Sequence, residues 1–274
     1  LKNGEGTPQN YETAARYFKI SADRGQADGM YNYALMLKDG LGVQRDEREY
    51  NSYLKLAADQ GHVEAMFEYG TNLKNGNGID VNNEESVKYF KMSAEHGHLN
   101  GMFNYATMLK NGIGVKADKV TASRYYKISA DRGNKNSMFN YALMCKKGNG
   151  IKVNLEEAAK YFKKSADEGV IAGMNQYGLM CRIGEGVEMN KEEALKYFKM
   201  GADKGDTDSM NNYGLMLYNG EGIDENKKEA IKYFKKTAEE GSKIGLYKYG
   251  HMLRKGEGIQ MDKEKALECL KQAA

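Results

Sequence analysis

The sequence predicts an all-α fold: an α/α superhelical solenoid of about 7.5 tandem 36-residue helix-turn-helix repeats. Three observations predict it. Paired glycines recur in fixed register, at Gly4/Gly6, Gly40/Gly42, Gly76/Gly78, Gly112/Gly114, Gly148/Gly150, Gly184/Gly186, Gly220/Gly222 and Gly256/Gly258. Between the pairs, apolar residues recur at spacings of three and four, the period of a helix rather than a strand. A column of Asn and Asp precedes the second apolar stripe of every unit, as a helix start requires. A fixed period of about 20–50 residues marks a stacked array. Residues 1–274 are therefore expected to form a single array rather than one or two globular domains.

The first helix of each unit, helix A, is expected from about Asp28 to Lys38. Gly29, Met30, Tyr33, Ala34, Met36 and Leu37 share one face. The Tyr33 column is tyrosine in every copy, and the Ala34 column holds only Ala or Gly, which suits a close helix crossing. Helix A stops at Gly40-Leu41-Gly42, where glycine supplies a left-handed cap. The apolar residue after the second glycine (Val43, Ile79, Val115, Ile151, Val187, Ile223, Ile259) is expected to plug the base of the loop.

Helix B starts at Asn10, Asp46, Asn82, Asp118, Asn154, Asn190, Asn226 and Asp262, all N-cap residue types. Glu49, Glu85, Glu157, Glu193 and Glu229 follow three residues later, in the manner of a capping box. Its buried stripe reads Ala14, Tyr17, Phe18, Ser21 and Ala22 in the first copy, which makes Tyr125 a core aromatic. The lysine column Lys19, Lys55, Lys91, Lys127, Lys163, Lys199, Lys235 and Lys271 has acidic residues four positions on, at Asp23 and its equivalents, and reads as a locally paired surface. Glu84→Lys88, Glu156→Lys160 and Glu192→Lys196 are expected to pair in the same way.

Composition narrows the function classes. With 41 basic and 38 acidic residues, the charge demands neither nucleic acid nor an acidic membrane. Twelve of the 16 methionines fall in the Met30 and Met36 columns. Cys145 and Cys181 replace leucine in a core column, so a disulfide framework is not expected and a cytoplasmic, intracellular setting is. No apolar run is long enough to span a membrane. The chain opens in the Leu37 column and closes in the Ala22 column, so a piece of a longer protein is expected, with end-to-end self-association open to it.

The unit resembles the Sel-1-like repeat, a longer-period relative of the tetratricopeptide repeat. The resemblance rests on Gly101, Tyr105-Ala106, Gly112-Ile113-Gly114-Val115, Asp118, Ala122, Tyr125, Ser129-Ala130 and Gly133, repeated over the whole chain. Departures are a tyrosine for the usual leucine in helix A, and Tyr50 and Ser86 for the small alanine in helix B. The resemblance implies a right-handed superhelix that acts as an adaptor or scaffold in protein complexes, as in signalling, in membrane-protein quality control and in bacterial host-interaction systems.

No catalytic, cofactor or metal site is expected. The Gly-x-Gly pairs follow helices and lack the strand–loop–helix setting of a phosphate loop. His62, His96 and His98 lack a ligand constellation. The candidate partner surface is the outer face of helix A: an amide row (Asn32, Asn104, Asn140, Gln176, Asn212), a basic row (Lys38, Lys74, Lys110, Lys146) and the aromatics Phe67, Phe103 and Phe139. In related solenoids helix A lines the concave surface. Amides both donate and accept, and so suit an extended peptide backbone, and aromatic anchors dominate interfaces, which places the first contact between Phe67 and Phe139. The expected function is a non-enzymatic protein–protein interaction scaffold with a protein or peptide partner; a structural spacer or oligomerisation array flanking another domain, such as a kinase, is the alternative.

Overall fold

Every helix B begins where the Asn/Asp column stands. A computed structural model describes residues 10–274; the Gly4/Gly6 pair, Pro8 and the Leu1 register lie outside the described residues. Asn10 accepts from the Thr13 N–H, Asn82 from Glu85, Asp118 from Thr121, Asn154 from Glu157, Asn190 from Glu193, Asn226 from Glu229 and Asp262 from Lys265, while Asp46 takes both Arg48 and Glu49. The capping box is only half built. Glu85 lies 3.4 Å from the Asn82 side-chain amide rather than on its backbone.

Fifteen helices and no strand occur among the described residues. The B helices are α1 (Tyr11–Asp23), α3 (Glu47–Asp59), α5 (Asn83–Glu95), α7 (Lys119–Asp131), α9 (Leu155–Asp167), α11 (Lys191–Asp203), α13 (Lys227–Glu239) and α15 (Lys263–Ala273). The A helices are α2 (Ala27–Asp39), α4 (Val63–Asn75), α6 (Leu99–Asn111), α8 (Lys135–Lys147), α10 (Ile171–Ile183), α12 (Thr207–Asn219) and α14 (Lys243–Lys255). They form two compact units that divide between Asn134 and Lys135. Within each unit, every helix packs on its sequence neighbours, as expected for a repeat stack.

The two glycines of each loop have different reasons. Gly112 caps α6 at φ 69° and returns its N–H to the Met108 carbonyl. Gly114 also has a positive φ, but a Cβ there would overlap the Asn83 backbone at the first turn of α5. The first glycine ends the helix; the second lets the loop lie on the preceding helix B. The following apolar residue behaves unevenly. Val43 and Ile79 pack against the core, whereas Ile223 and Ile259 are exposed.

The core is made where helix-A small residues meet helix-B aromatics. Phe90, Tyr126, Phe162, Phe198 and Phe234 are completely buried. Gly70 and Gly178 leave so little room that an added Cβ would come within 3.1 and 2.7 Å of the Phe90 and Phe198 rings. Tyr126 is the one tyrosine in this column. Burial pushes its hydroxyl up to about 12, and Thr107 on α6 meets it at 2.8 Å.

Two expectations need correction. The Tyr17 column is buried at Tyr89, Tyr161 and Tyr197, as expected, but Tyr17 is exposed and Tyr125 half-buried, so on α7 it is Tyr126, in the next column of the same stripe, that fills the core. The Tyr17 column also makes edge-to-face pairs with helix A, as in Tyr105–Tyr125 at 5.0 Å and 84°, and turns hydroxyls toward polar side chains. Tyr53 takes the Lys19 ammonium at 2.9 Å, and Tyr89 donates to Asp59 at 2.6 Å. A tyrosine serves both ends of such a site. The Lys19–Asp23, Lys55–Asp59, Lys127–Asp131 and Lys199–Asp203 pairs form as expected. Lys160 and Lys196, however, reach back three residues to Glu157 and Glu193 rather than four to Glu156 and Glu192, because the N3 glutamate is the one turned toward them.

Candidate functional site

The burial of columns 29, 30, 33, 34, 36 and 37 in α2 leaves Asp28, Tyr31, Asn32, Leu35 and Lys38 on its outer side. The same columns form the outer side of the other A helices, except that Asn211, in the Tyr31 column of α12, is buried. Asn32, Asn104, Asn140, Gln176 and Asn212 are all half-buried there. They do not form a uniform ladder. Asn32 and Asn140 each donate to their own helix, to the carbonyls of Asp28 and Asn136 at 2.8 and 3.0 Å. Asn212 donates across to Asn175 of the preceding A helix at 2.8 Å.

The aromatic members are half-buried wedges with part of each ring already covered. Phe67 packs on Phe90 and on His98, with centroids 6.1 and 4.5 Å away. Phe103 lies 5.9 Å from Tyr126, and Phe139 5.6 Å from Phe162. The basic row is partly engaged as well. The Lys38 ammonium lies 5.6 Å from the Tyr50 ring centre and 3.9 Å from Glu68, Lys110 sits over Tyr126, and Lys146 pairs with Glu185 at 2.7 Å. Lys74 is half-buried on the same face.

Sequence reasoning missed a carboxylate hub in the first unit. Glu68 accepts from the Tyr31 hydroxyl at 2.8 Å and from Tyr50 at 3.0 Å. Burial and this carboxylate hold both phenols well above their usual range. The signal was available: Glu68 and Tyr50 each depart from an amide column and a small-residue column, and they depart together. A second pair of departures, Asn51 and Asn72, is buried and bonded amide to amide at 2.9 Å.

The histidines have a structural role. His62 and His98 stand in the N-cap column of helix A, and their Nδ1 atoms accept from the Ala65 and Gly101 N–H groups. His98 is held below its ordinary value by burial, against the pull of Glu64. Among the described residues no group of three or more His, Cys, Asp or Glu is placed to hold a metal ion, and no helix is long and apolar enough to cross a membrane.

An open groove of about 380 Å3 lies on the helix-A face of the second unit. It is lined by the apolar Leu179, Leu215 and Ile244, with the buried Phe234 beneath, and by Asn175, Gln176, Asn211, Asn212, Asp208 and Lys248. The groove exists because the aromatic column changes to Asn175 and Asn211 here. These shorter side chains leave uncovered the space that Phe67, Phe103 and Phe139 fill in earlier repeats. Asn211 is buried and fully engaged, donating to Ser242 and accepting from Thr237. By contrast, the Asn175 side-chain NH2 and the Asn212 Oδ1 have no partner among the described residues. Gln176 and Asn212 thus share one site, while Asn32, Asn104 and Asn140 lie outside it. A larger cleft of about 880 Å3, at the first turn of α3, is lined by charged groups that include the Arg45–Glu47 pair and Lys55, itself paired with Asp59.

The repeat pattern described as Sel1 repeat matches residues 1–26, 27–62, 63–98, 99–134, 135–170, 171–206, 207–242 and 244–274. No curated protein sequence matches the chain. Among solved structures, the chain is similar to c5321, a protective antigen of uropathogenic Escherichia coli strains with an SLR fold, at TM-score 0.81 and 23% identity. That match covers 100% of this chain and 66% of the antigen, so the chain spans just under two thirds of that protein. It is also similar to a Sel1 repeat protein from Oxalobacter formigenes, at TM-score 0.74 and 21% identity, over 89% of this chain and 96% of that one. At these identities the likeness concerns the fold. With 15 helices, the 36-residue register and eight matched units, the chain belongs to the Sel1 repeat family.

Proposed function

We propose that the array, residues 1–274 acting as one domain, is a non-enzymatic scaffold that holds a protein or peptide segment on its helix-A face. Sel1 repeat solenoids are in general protein-interaction scaffolds, and repeat stacks present extended surfaces of this kind. What supports the reading here is the groove over α10, α12 and α14, with an apolar lining and an amide pair left open toward solvent. Ligand sites combine apolar walls with a few placed polar groups in this way. Adjacent positions that the columns predict as contacts, Gln176 and Asn212, line that groove. Asn32, Asn104, Asn140 and the Phe67–Phe139 stretch occupy the equivalent helix-A columns in other repeats.

The test is peptide capture by the immobilised chain, beside a Gln176→Ala/Asn212→Ala variant whose Tm equals that of the parent. The expected result is at least a tenfold loss of affinity for captured peptides. Equal capture by both would move the partner surface off this face, and no capture by either would leave the array as a spacer.

A further inference from the structure

The groove's polar groups define what it would hold, given the reading that the helix-A face binds a peptide. The Asn212 N–H bound to Asn175 Oδ1 fixes the orientation of both amides. Asn175 then offers a donor and Asn212 an acceptor, side by side. A peptide unit offers the inverse, a carbonyl acceptor and an N–H donor. Beside this pair lies the apolar lining of Leu179, Leu215 and Ile244.

Charge sets the next contact. Lys248 occupies, on α14, the column that holds Gln176 on α10 and Asn212 on α12. Its ammonium makes no ion pair among the described residues. Asp208, one helical turn before Asn212, adds a negative charge to the same lining. Neighbouring helices lie about 10 Å apart, and an extended chain covers that distance in roughly three residues. A single lysine with Asp208 in the same lining does not suit a polyanion, whose binding rests on several phosphate contacts.

The geometry points to an extended acidic peptide as the occupant. One apolar side chain sits on the Leu179/Leu215/Ile244 lining, its peptide unit is read by Asn175 and Asn212, and an Asp or Glu about three residues away meets Lys248.

The test selects from a library of random heptapeptides displayed against the intact chain, then measures fluorescence anisotropy on synthetic copies of the enriched sequence. The expected enrichment is an apolar residue with Asp or Glu about three positions away. Lys248→Glu should weaken that peptide about tenfold and should favour its Lys-substituted counterpart, while Lys236→Glu on α13 should do neither. Enriched peptides that depend on Asn212 but ignore Lys248, or that carry no acidic residue at that spacing, overturn this inference and leave the helix-A reading standing. Enriched peptides indifferent to both residues, or no enrichment at all, overturn both.

Discussion

At the residue scale, two adjacent aromatic columns of helix B share the core, and on α7 one of them, Tyr126, is buried more deeply than the other. Tyr126 is fully buried and its hydroxyl meets the Thr107 hydroxyl at 2.8 Å. Tyr126→Ala should cost about 3–5 kcal/mol, and the half-buried Tyr125→Ala about 1–2 kcal/mol, both read from urea midpoints; the reverse ranking would return Tyr125 to the core. The columns showed that both positions are aromatic or large, but how deeply the first is buried varies between repeats, from Tyr161 and Tyr197, fully buried, to the half-buried Tyr125. His98 gives a pH test. Its Nδ1 must be unprotonated to accept the Gly101 N–H, and burial lowers its proton affinity in the fold. The unfolded chain therefore binds the proton more readily. The stabilising effect is present above about pH 6.5 and fades as pH falls through the folded value. Denaturation midpoints should fall more steeply below pH 6.5 for the parent than for His98→Asn, which caps without titrating. Parallel slopes would remove His98 from the account.

At the element scale, helix A and helix B are fitted by paired exchanges of small residues. Gly101 faces Ser93, and a Cβ on Gly101 would lie within 3 Å of the serine Cβ; further along, Ser209 faces Gly201, the same pair reversed. Gly101→Ser should cost about 1–3 kcal/mol through overpacking. Adding Ser93→Gly recreates the Gly201/Ser209 arrangement and should recover at least about 1 kcal/mol beyond additivity. Strictly additive effects in the double-mutant cycle would mean that the helices adjust independently. The loop makes a second element-level prediction. Gly114→Ala should cost more than Gly112→Ala, because Gly114 combines a positive φ with contact on the Asn83 backbone, whereas Gly112 meets the Ala117 Cβ at 3.3 Å. Helix limits, N-caps and the first glycine were legible from sequence because each is decided within a few residues. The contact of Gly114 with α5 was not, since it joins residues about thirty positions apart.

At the scale of the whole molecule, fold and site differ in how far they could be read. A register repeated eight times averages out local ambiguity, so the Met30, Tyr33, Ala34 and Leu37 columns each report one packing position several times. The groove arises where a column breaks, at Asn175 and Asn211, and a repeat pattern directs attention to what recurs. Phe67, Phe103 and Phe139 looked like anchors because their column is aromatic; their rings are already half-covered by Phe90, Tyr126 and Phe162. Gln176 and Asn212 were candidates because amides recur, while Lys248 and Glu68 were departures from the same row. The central claim is that the helix-A face of α10, α12 and α14 is where a partner sits. Methyl NMR of the intact chain, titrated with a captured peptide, tests it most directly. The account predicts shifts at Leu179, Leu215 and Ile244, with Val153, in the loop after α8 and outside the groove lining, unmoved. Shifts at the loop methyls with Leu179 and Leu215 silent would contradict it.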